Sequence, residues 1–343
     1  MAALLTAPLV GLLLGAMPSA QAAPDPNLTV TDVTLSRTAV AVSGLNTVPI
    51  GVTVKAGYNS AEPGDQNLTV YVILERTAGS GPLRWMFSTD LKRTAGTLNN
   101  GTWTGPLNVP STGNGTFKVT GVMPRPFGVY FGDTTEPTPF AGPSVTVTGY
   151  HLPKITASVS PKVVPFGSPY SIRWAVTDAA TGKPYGTRIT VLLGVDNECA
   201  EGGGLLVRTD TNGLVTRYYK ASDANWVNCL RVPGKPFDIS GRGLVVARPG
   251  VVSAVPSKTS APVGTIVPVN GSVLGAPRCK VVLQRLYGAT QWRGVSSALI
   301  RQSGRFTVNA QPAYRGLIPY RVYFPGCYQY QAGLSKVFYI RGL

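Results

Sequence analysis

The chain has 343 residues, only 13% of them charged, and a formal net charge of +16 at pH 7. Its 40 glycines and 29 prolines favour turns, and no stretch beyond the N-terminus repeats apolar residues at helical spacing for three turns. One histidine, His151, and four cysteines with no Cys-x-x-Cys spacing leave little for a Cys/His metal site or for a Ser–His or Cys–His catalytic pair.

Residues 1–22 read as a signal peptide. Leu4 to Ala16 is almost wholly apolar, and Ala20-Gln21-Ala22 has the small-x-small form of a cleavage site, although no Lys or Arg precedes Arg37. The apolar run is too short for the roughly 20 residues of a spanning helix, so no stable membrane insertion is expected. The expected location is secreted or extracellular, with non-covalent wall association as one form of it.

Residues 24–152 contain seven strand candidates: TVTDVTLS, TVPIGVTVKA, LTVYVILER, LRWMFSTDL, GTWTGPLNV, GTFKVTGV and SVTVTGY. Turn clusters such as Glu62-Pro63-Gly64-Asp65 and Asn99-Asn100-Gly101 separate them. Short strands at this spacing predict an antiparallel β-sandwich. A Pro-rich loop, Pro124 to Pro143, precedes the last strand. Tyr150 to Pro153 reads as a linker, and His151 within it has no neighbouring group to orient it as a base.

Residues 153–247 offer ITASVS, YSIRWAVTD, TRITVLLGV, LLVRTD, LVTRYYKA, WVNCLRV and GLVVA. Asn212-Gly213 predicts a tight hairpin, because both positions tolerate positive φ. Thr181-Gly182-Lys183-Pro184 before one strand and Thr209-Asp210-Thr211-Asn212-Gly213 before another resemble the bacterial Ig-like domains of invasin and intimin. Asp196, Asn197, Glu198, Glu201 and Asp210 are residue types that calcium accepts, but their spacing matches no EF-hand loop, and a solvated turn is the simpler expectation.

Arg248-Pro249-Gly250 reads as a second linker, and residues 248–343 as a third domain. Its runs are CKVVLQRL, a turn with Gln291-Trp292, SGRFTVNA, GLIPYRVYF and LSKVFYI. The Val282 to Arg285 strand, Trp292, Gly304, Tyr320-Arg321-Val322 and Ser335 resemble the Ig-like repeats of secreted bacterial proteins of the high-GC Gram-positive type. That resemblance implies a fold and no reaction. The expected architecture is therefore all-β: three tandem Ig-like antiparallel sandwiches after a signal peptide. Trp174, Trp226 and Trp292 are expected in the cores.

The cysteines suit an oxidising compartment. Cys199 with Cys229 and Cys279 with Cys327 is the pairing that keeps each bond inside one expected domain.

Charge is distributed unevenly. Residues 24–152 are net zero, 153–247 net +4 and 248–343 net +12, the last without a single Asp or Glu. A segment with no carboxylate cannot neutralise its own cations, so its field concentrates anions. Most of those cations are arginine, whose planar fork suits phosphate and carboxylate. The candidate polyanion or glycan site is Arg278, Arg285, Arg293, Arg301, Arg305, Arg315 and Arg321, with Tyr287 and Trp292 covering sugar faces. Basic residues among aromatics also suit single-stranded nucleic acid, but a secreted chain meets anionic wall polymers and acidic glycans instead, so no physiological nucleic acid is expected. No cofactor and no enzyme activity are expected. The competing expectation is a passive spacer of the cell envelope whose charge serves only solubility.

Overall fold

The computed structural model describes residues 23–124, 135–201, 203–223 and 227–343. The signal-peptide segment, residues 125–134 of the Pro-rich loop and Trp226 lie outside them. The described chain is all-β apart from one turn of helix, Glu198–Glu201, and two short 3-10 turns. Among the described residues no helix is long and apolar enough to cross a membrane.

The strands form sheets that are mostly antiparallel, and the sheets group into two compact units. One holds the chain up to Leu152 together with Gly234–Ile239. The other holds Pro153–Pro233 and Ser240–Leu343.

In the first unit one sheet orders Leu28–Leu35, Thr47–Tyr58, Gly101–Pro110 and Lys92–Gly96. The other orders Ala39–Ser43, Ser144–Tyr150, Gly115–Pro124, Val70–Ala78 and Trp85–Phe87. Alternation decides which side of each strand is buried. In Thr47–Tyr58, Ile50, Val52 and Val54 point inward and meet Val70, Val72, Leu74 and Phe117. Trp103 is fully buried at the centre, and its indole N–H donates to the Leu68 carbonyl at 3.0 Å.

Two expectations need correction here. The run LRWMFSTDL is not one strand. Trp85–Phe87 pairs with Val70–Ala78, and the chain then crosses to place Lys92–Gly96 in the opposite sheet. Ser88 makes the crossing possible, because its buried hydroxyl accepts the Val72 amide at 3.0 Å. The short run Ala39–Ser43, which the strand count passed over, pairs in parallel with Ser144–Tyr150.

The second unit contains two sheet pairs. The first combines Pro153–Ser160, Tyr170–Asp178 and Leu214–Tyr219 with a sheet ordered Leu205–Arg208, Thr190–Val195, Val227–Val232 and Ser240–Val245. Ile172, Trp174, Val191, Leu193 and Leu230 are buried there. Asn212-Gly213 does not close a hairpin. Leu205–Arg208 pairs with Thr190–Val195, and Leu214–Tyr219 pairs with Tyr170–Asp178, so the turn carries the chain from one sheet to the other. Gly213 (φ 73°) lies so close to Tyr170–Asp178 that a Cβ would meet the Val176 carbonyl at 2.2 Å, and its own carbonyl accepts the Val176 amide at 2.9 Å. The turn chemistry is as expected, but docking against a third strand overrides the hairpin outcome.

The second pair combines Val252–Pro256, Val267–Val273 and Arg305–Ala310 with a larger sheet. That sheet is ordered Ser260–Ala261, Phe338–Gly342, Gly316–Phe324, Lys280–Tyr287 and Gln291–Leu299. Its core is Val281, Leu283, Phe306, Val308, Ile318, Tyr320, Val322, Phe324 and Ile340. Gly271 allows the closest approach: a Cβ there would fall 2.2 Å from the Ser253 carbonyl and 2.3 Å from the Phe306 ring. Gln291-Trp292, expected in a turn, opens the Gln291–Leu299 strand.

Disulfides join Cys199 to Cys229 and Cys279 to Cys327, with Cα atoms 5.8 Å and 6.3 Å apart. The first ties the helical turn Glu198–Glu201 to the strand Val227–Val232. Gly194 pairs with Cys229, and a side chain at Gly194 would meet the Cys229 sulfur at 2.9 Å. Cys279 precedes Lys280–Tyr287, and Cys327 follows its partner strand Gly316–Phe324.

Candidate polyanion-binding site

The expected site residues do not share one face. Three adjacent strands, Gly316–Phe324, Lys280–Tyr287 and Gln291–Leu299, bring Arg285, Arg293, Arg321, Tyr287 and Trp292 together at one end of the larger sheet. Arg305 opens a strand of the smaller sheet, where it pairs with Ser272, and Arg301, in the turn just before it, donates from its guanidinium to Thr307 Oγ1 at 2.8 Å. Arg278 stands in the turn before Cys279 with φ 63°, its amide held by the Ile300 carbonyl at 2.8 Å. Arg315 is exposed just before Gly316–Phe324.

Register explains why the cluster has two sides. Residues directly opposite across a ladder share a face. Arg285 is opposite Arg293 and Tyr320, whereas Gln284 is opposite Arg321 and Gly294, and Leu286 is opposite Trp292. Tyr320 is buried in the core, so Arg285 and Arg293 emerge on the core side of the sheet near its end. Arg321 and Trp292 lie on the outer side.

On that outer side Arg321 reaches over the central strand. Its Nε donates to Gln284 Oε1 at 2.8 Å, and its guanidinium carbon sits 4.2 Å from the Trp292 ring centroid. Trp292 is half-buried. It is not the core residue expected; it is a platform under a cation.

On the core side both guanidiniums lie against one ring. Arg285 is 4.4 Å and Arg293 4.9 Å from the Tyr287 centroid. Arg285 also hydrogen-bonds the Tyr287 hydroxyl, and Arg293 donates to Gln291 Oε1 at 2.8 Å. Burial pushes the Tyr320 hydroxyl above its ordinary range, against the opposing pull of Arg285. Gln284 and Gln291 orient the arginines, and sequence reasoning passed over both. The alternation in Lys280–Tyr287 and GLIPYRVYF puts Gln284 and Arg321 on the face away from the core, and the register then sets them opposite one another.

The other candidates fare differently. Trp174 is buried as expected. The acidic side chains of the middle segment cap turns: Asp196 Oδ1 accepts the Val227 amide at 2.9 Å, Glu198 Oε2 the Val195 amide at 2.9 Å and Asp210 Oδ1 the Leu214 amide at 2.8 Å. Among the described residues no group of three His, Cys, Asp or Glu is placed to hold a metal ion.

No protein-family model matches the chain, and no curated protein sequence matches it. Solved structures align weakly along most of its length. The I67–I69 fragment of the titin I-band aligns at 9% identity over 90% of this chain and 98% of that one, with a TM-score of 0.28. A protein of Corynebacterium diphtheriae described as membrane anchored aligns at 11% identity over 91% of both chains, with a TM-score of 0.24. The alpha-2-macroglobulin of Escherichia coli aligns at 9% identity and a TM-score of 0.22 over 92% of this chain, which spans only 35% of that one. Superpositions at these scores carry no argument, and the all-β fold rests on the sheets themselves.

Proposed function

We propose that the chain is a secreted, non-enzymatic surface or adhesion protein, with one sandwich in each of the segments 24–152, 153–247 and 248–343. Its basic last segment contacts an anionic wall polymer or acidic glycan. One observation carries the reading. A segment without any carboxylate gathers Arg285, Arg293, Arg321, Tyr287 and Trp292 on three neighbouring strands. Cations this close have no acid of their own segment to neutralise them, so an external anion lowers their mutual repulsion. The Trp292 and Tyr287 rings add apolar faces beside the charge. Two disulfides support an oxidising compartment.

The passive-spacer reading is favoured by a different observation: Arg278, Arg301, Arg305 and Arg315 are dispersed over other surfaces. Retention separates the two. The full chain is passed over an immobilised acidic polysaccharide and a neutral one of similar size. The binding reading expects retention on the acidic polymer alone, and equal behaviour on both leaves the spacer.

A further inference from the structure

We propose that Arg285 and Arg293, backed by Tyr287, form a site for a dianionic phosphate group. The proposal rests on the polyanion reading above and narrows it from charge to chemistry.

Arg285 and Arg293 are direct cross-strand partners. Like charges in that position repel, and a sheet ordinarily avoids them. Here the Tyr287 ring holds both guanidiniums, and no Asp or Glu exists anywhere in residues 248–343 to relieve them. Tyr287 faces both arginines, and the Tyr320 hydroxyl, which Tyr314 and Tyr287 also influence, faces Arg285. Each guanidinium has five N–H donors in a plane. Arg285 gives one bond to Tyr287 and lies against Tyr320, and Arg293 gives one to Gln291. Most donors of the pair are therefore left to a ligand.

Two forks on adjacent strands suit a tetrahedral oxyanion better than a flat one. A carboxylate has two oxygens and one charge, which a single bidentate fork satisfies. A phosphomonoester has three terminal oxygens and a charge near −2 above its second pKa of about 6. It can accept from both forks at once and neutralise both. The matching ligand is a polymer that carries phosphomonoester groups, such as sugars phosphorylated at one oxygen.

The test uses the full-length chain and glycerol 1-phosphate, with glucuronate for comparison, at constant ionic strength. Arginine side-chain NMR signals report binding. Glycerol 1-phosphate is expected to bind about tenfold more tightly at pH 7.5 than at pH 5, with a midpoint near its second pKa of about 6. Glucuronate, ionised throughout, is expected to bind more weakly and without that dependence. Arg285→Gln and Arg293→Gln are each expected to lower phosphate affinity about tenfold, the loss of one charged fork. The double variant Arg301→Gln/Arg305→Gln removes charge from the other sheet and the turn that enters it and is expected to change affinity less than about twofold. Thermal melting confirms folding, and because Arg293 is exposed, Arg293→Gln carries the test if Arg285→Gln does not fold. Binding that is independent of pH, or equal losses in both sets of variants, overturns the site. If an acidic polymer is retained but glycerol phosphate binds no better than glucuronate, the phosphate site falls and the polyanion reading stands. If phosphate binds as expected but no polymer is retained, the polyanion reading falls and the phosphate site stands.

Discussion

Arg248 and Phe166 are far apart in sequence, yet the Arg248 guanidinium lies 5.9 Å from the Phe166 ring centroid and reaches the Val164 carbonyl at 3.5 Å. The same guanidinium is 5.6 Å from the Tyr170 ring. Its backbone is fixed as well: the amide donates to the Gln329 carbonyl and its own carbonyl accepts the Gln331 amide, both at 2.8 Å. Phe166 in turn stacks on Tyr330 at 6.2 Å. Arg248-Pro249-Gly250 is thus a locked joint within the second unit. Each cation–π contact at a partly exposed site contributes roughly 0.5–1 kcal/mol. Arg248→Ala should therefore leave both sheet pairs folded while exposing the joint. Limited proteolysis should cut the variant near residues 248–250 several times faster than the parent, and equal rates would show that the backbone bonds suffice.

The disulfides close loops of 30 and 48 residues. Chain entropy then predicts roughly 3–4 kcal/mol from each, if the unfolded chain is otherwise free. Replacing Cys279 and Cys327 with Ser should lower the denaturant midpoint accordingly, and peptide mapping without reductant should recover Cys199 with Cys229 and Cys279 with Cys327.

Tyrosines set the alkaline limit. Burial pushes the Tyr219 hydroxyl up to about 12, only partly offset by Arg217, and pushes Tyr185 up to about 12 with help from Asp178. Tyr219 stacks on Tyr170 at 4.6 Å, so its ring cannot leave without opening the sheet. In the unfolded chain these hydroxyls ionise near 10. The stability they contribute is therefore full below about pH 10 and is lost as pH rises from there towards about 12. Denaturant midpoints measured from pH 8 to 11.5 should stay flat and then fall. Tyr219→Phe should flatten the fall, and an unchanged slope would assign it to other groups.

Much of the fold was legible because alternation is a local property. Ile50, Val52 and Val54 announce their buried face in sequence, as do Ile318, Tyr320, Val322 and Phe324. What was not legible depends on contacts distant in the chain. LRWMFSTDL reads as one strand until Ser88 is seen satisfying the Val72 amide, and Asn212-Gly213 reads as a hairpin until Gly213 is seen docked on Val176. The site followed the same rule. Total charge and the absence of acids were plain, but which arginines meet is set by register. Arg285 finds Arg293, and Arg321 finds Trp292 across an intervening strand, whereas Arg305 is carried to the other sheet and Arg301 to the turn that enters it.

The most direct measurement of the central claim removes equal charge from two places. Arg285→Gln/Arg293→Gln/Arg321→Gln empties the three-strand cluster, and Arg301→Gln/Arg305→Gln/Arg315→Gln empties the dispersed set. Full-length proteins are eluted from an immobilised acidic polymer by a salt gradient, where screening over about 8 Å at physiological ionic strength weakens exposed pairs. The cluster variant should elute at clearly lower salt than the dispersed variant, which should stay near the parent. Identical elution of the two variants would show that only net charge matters and would contradict a built site on these strands.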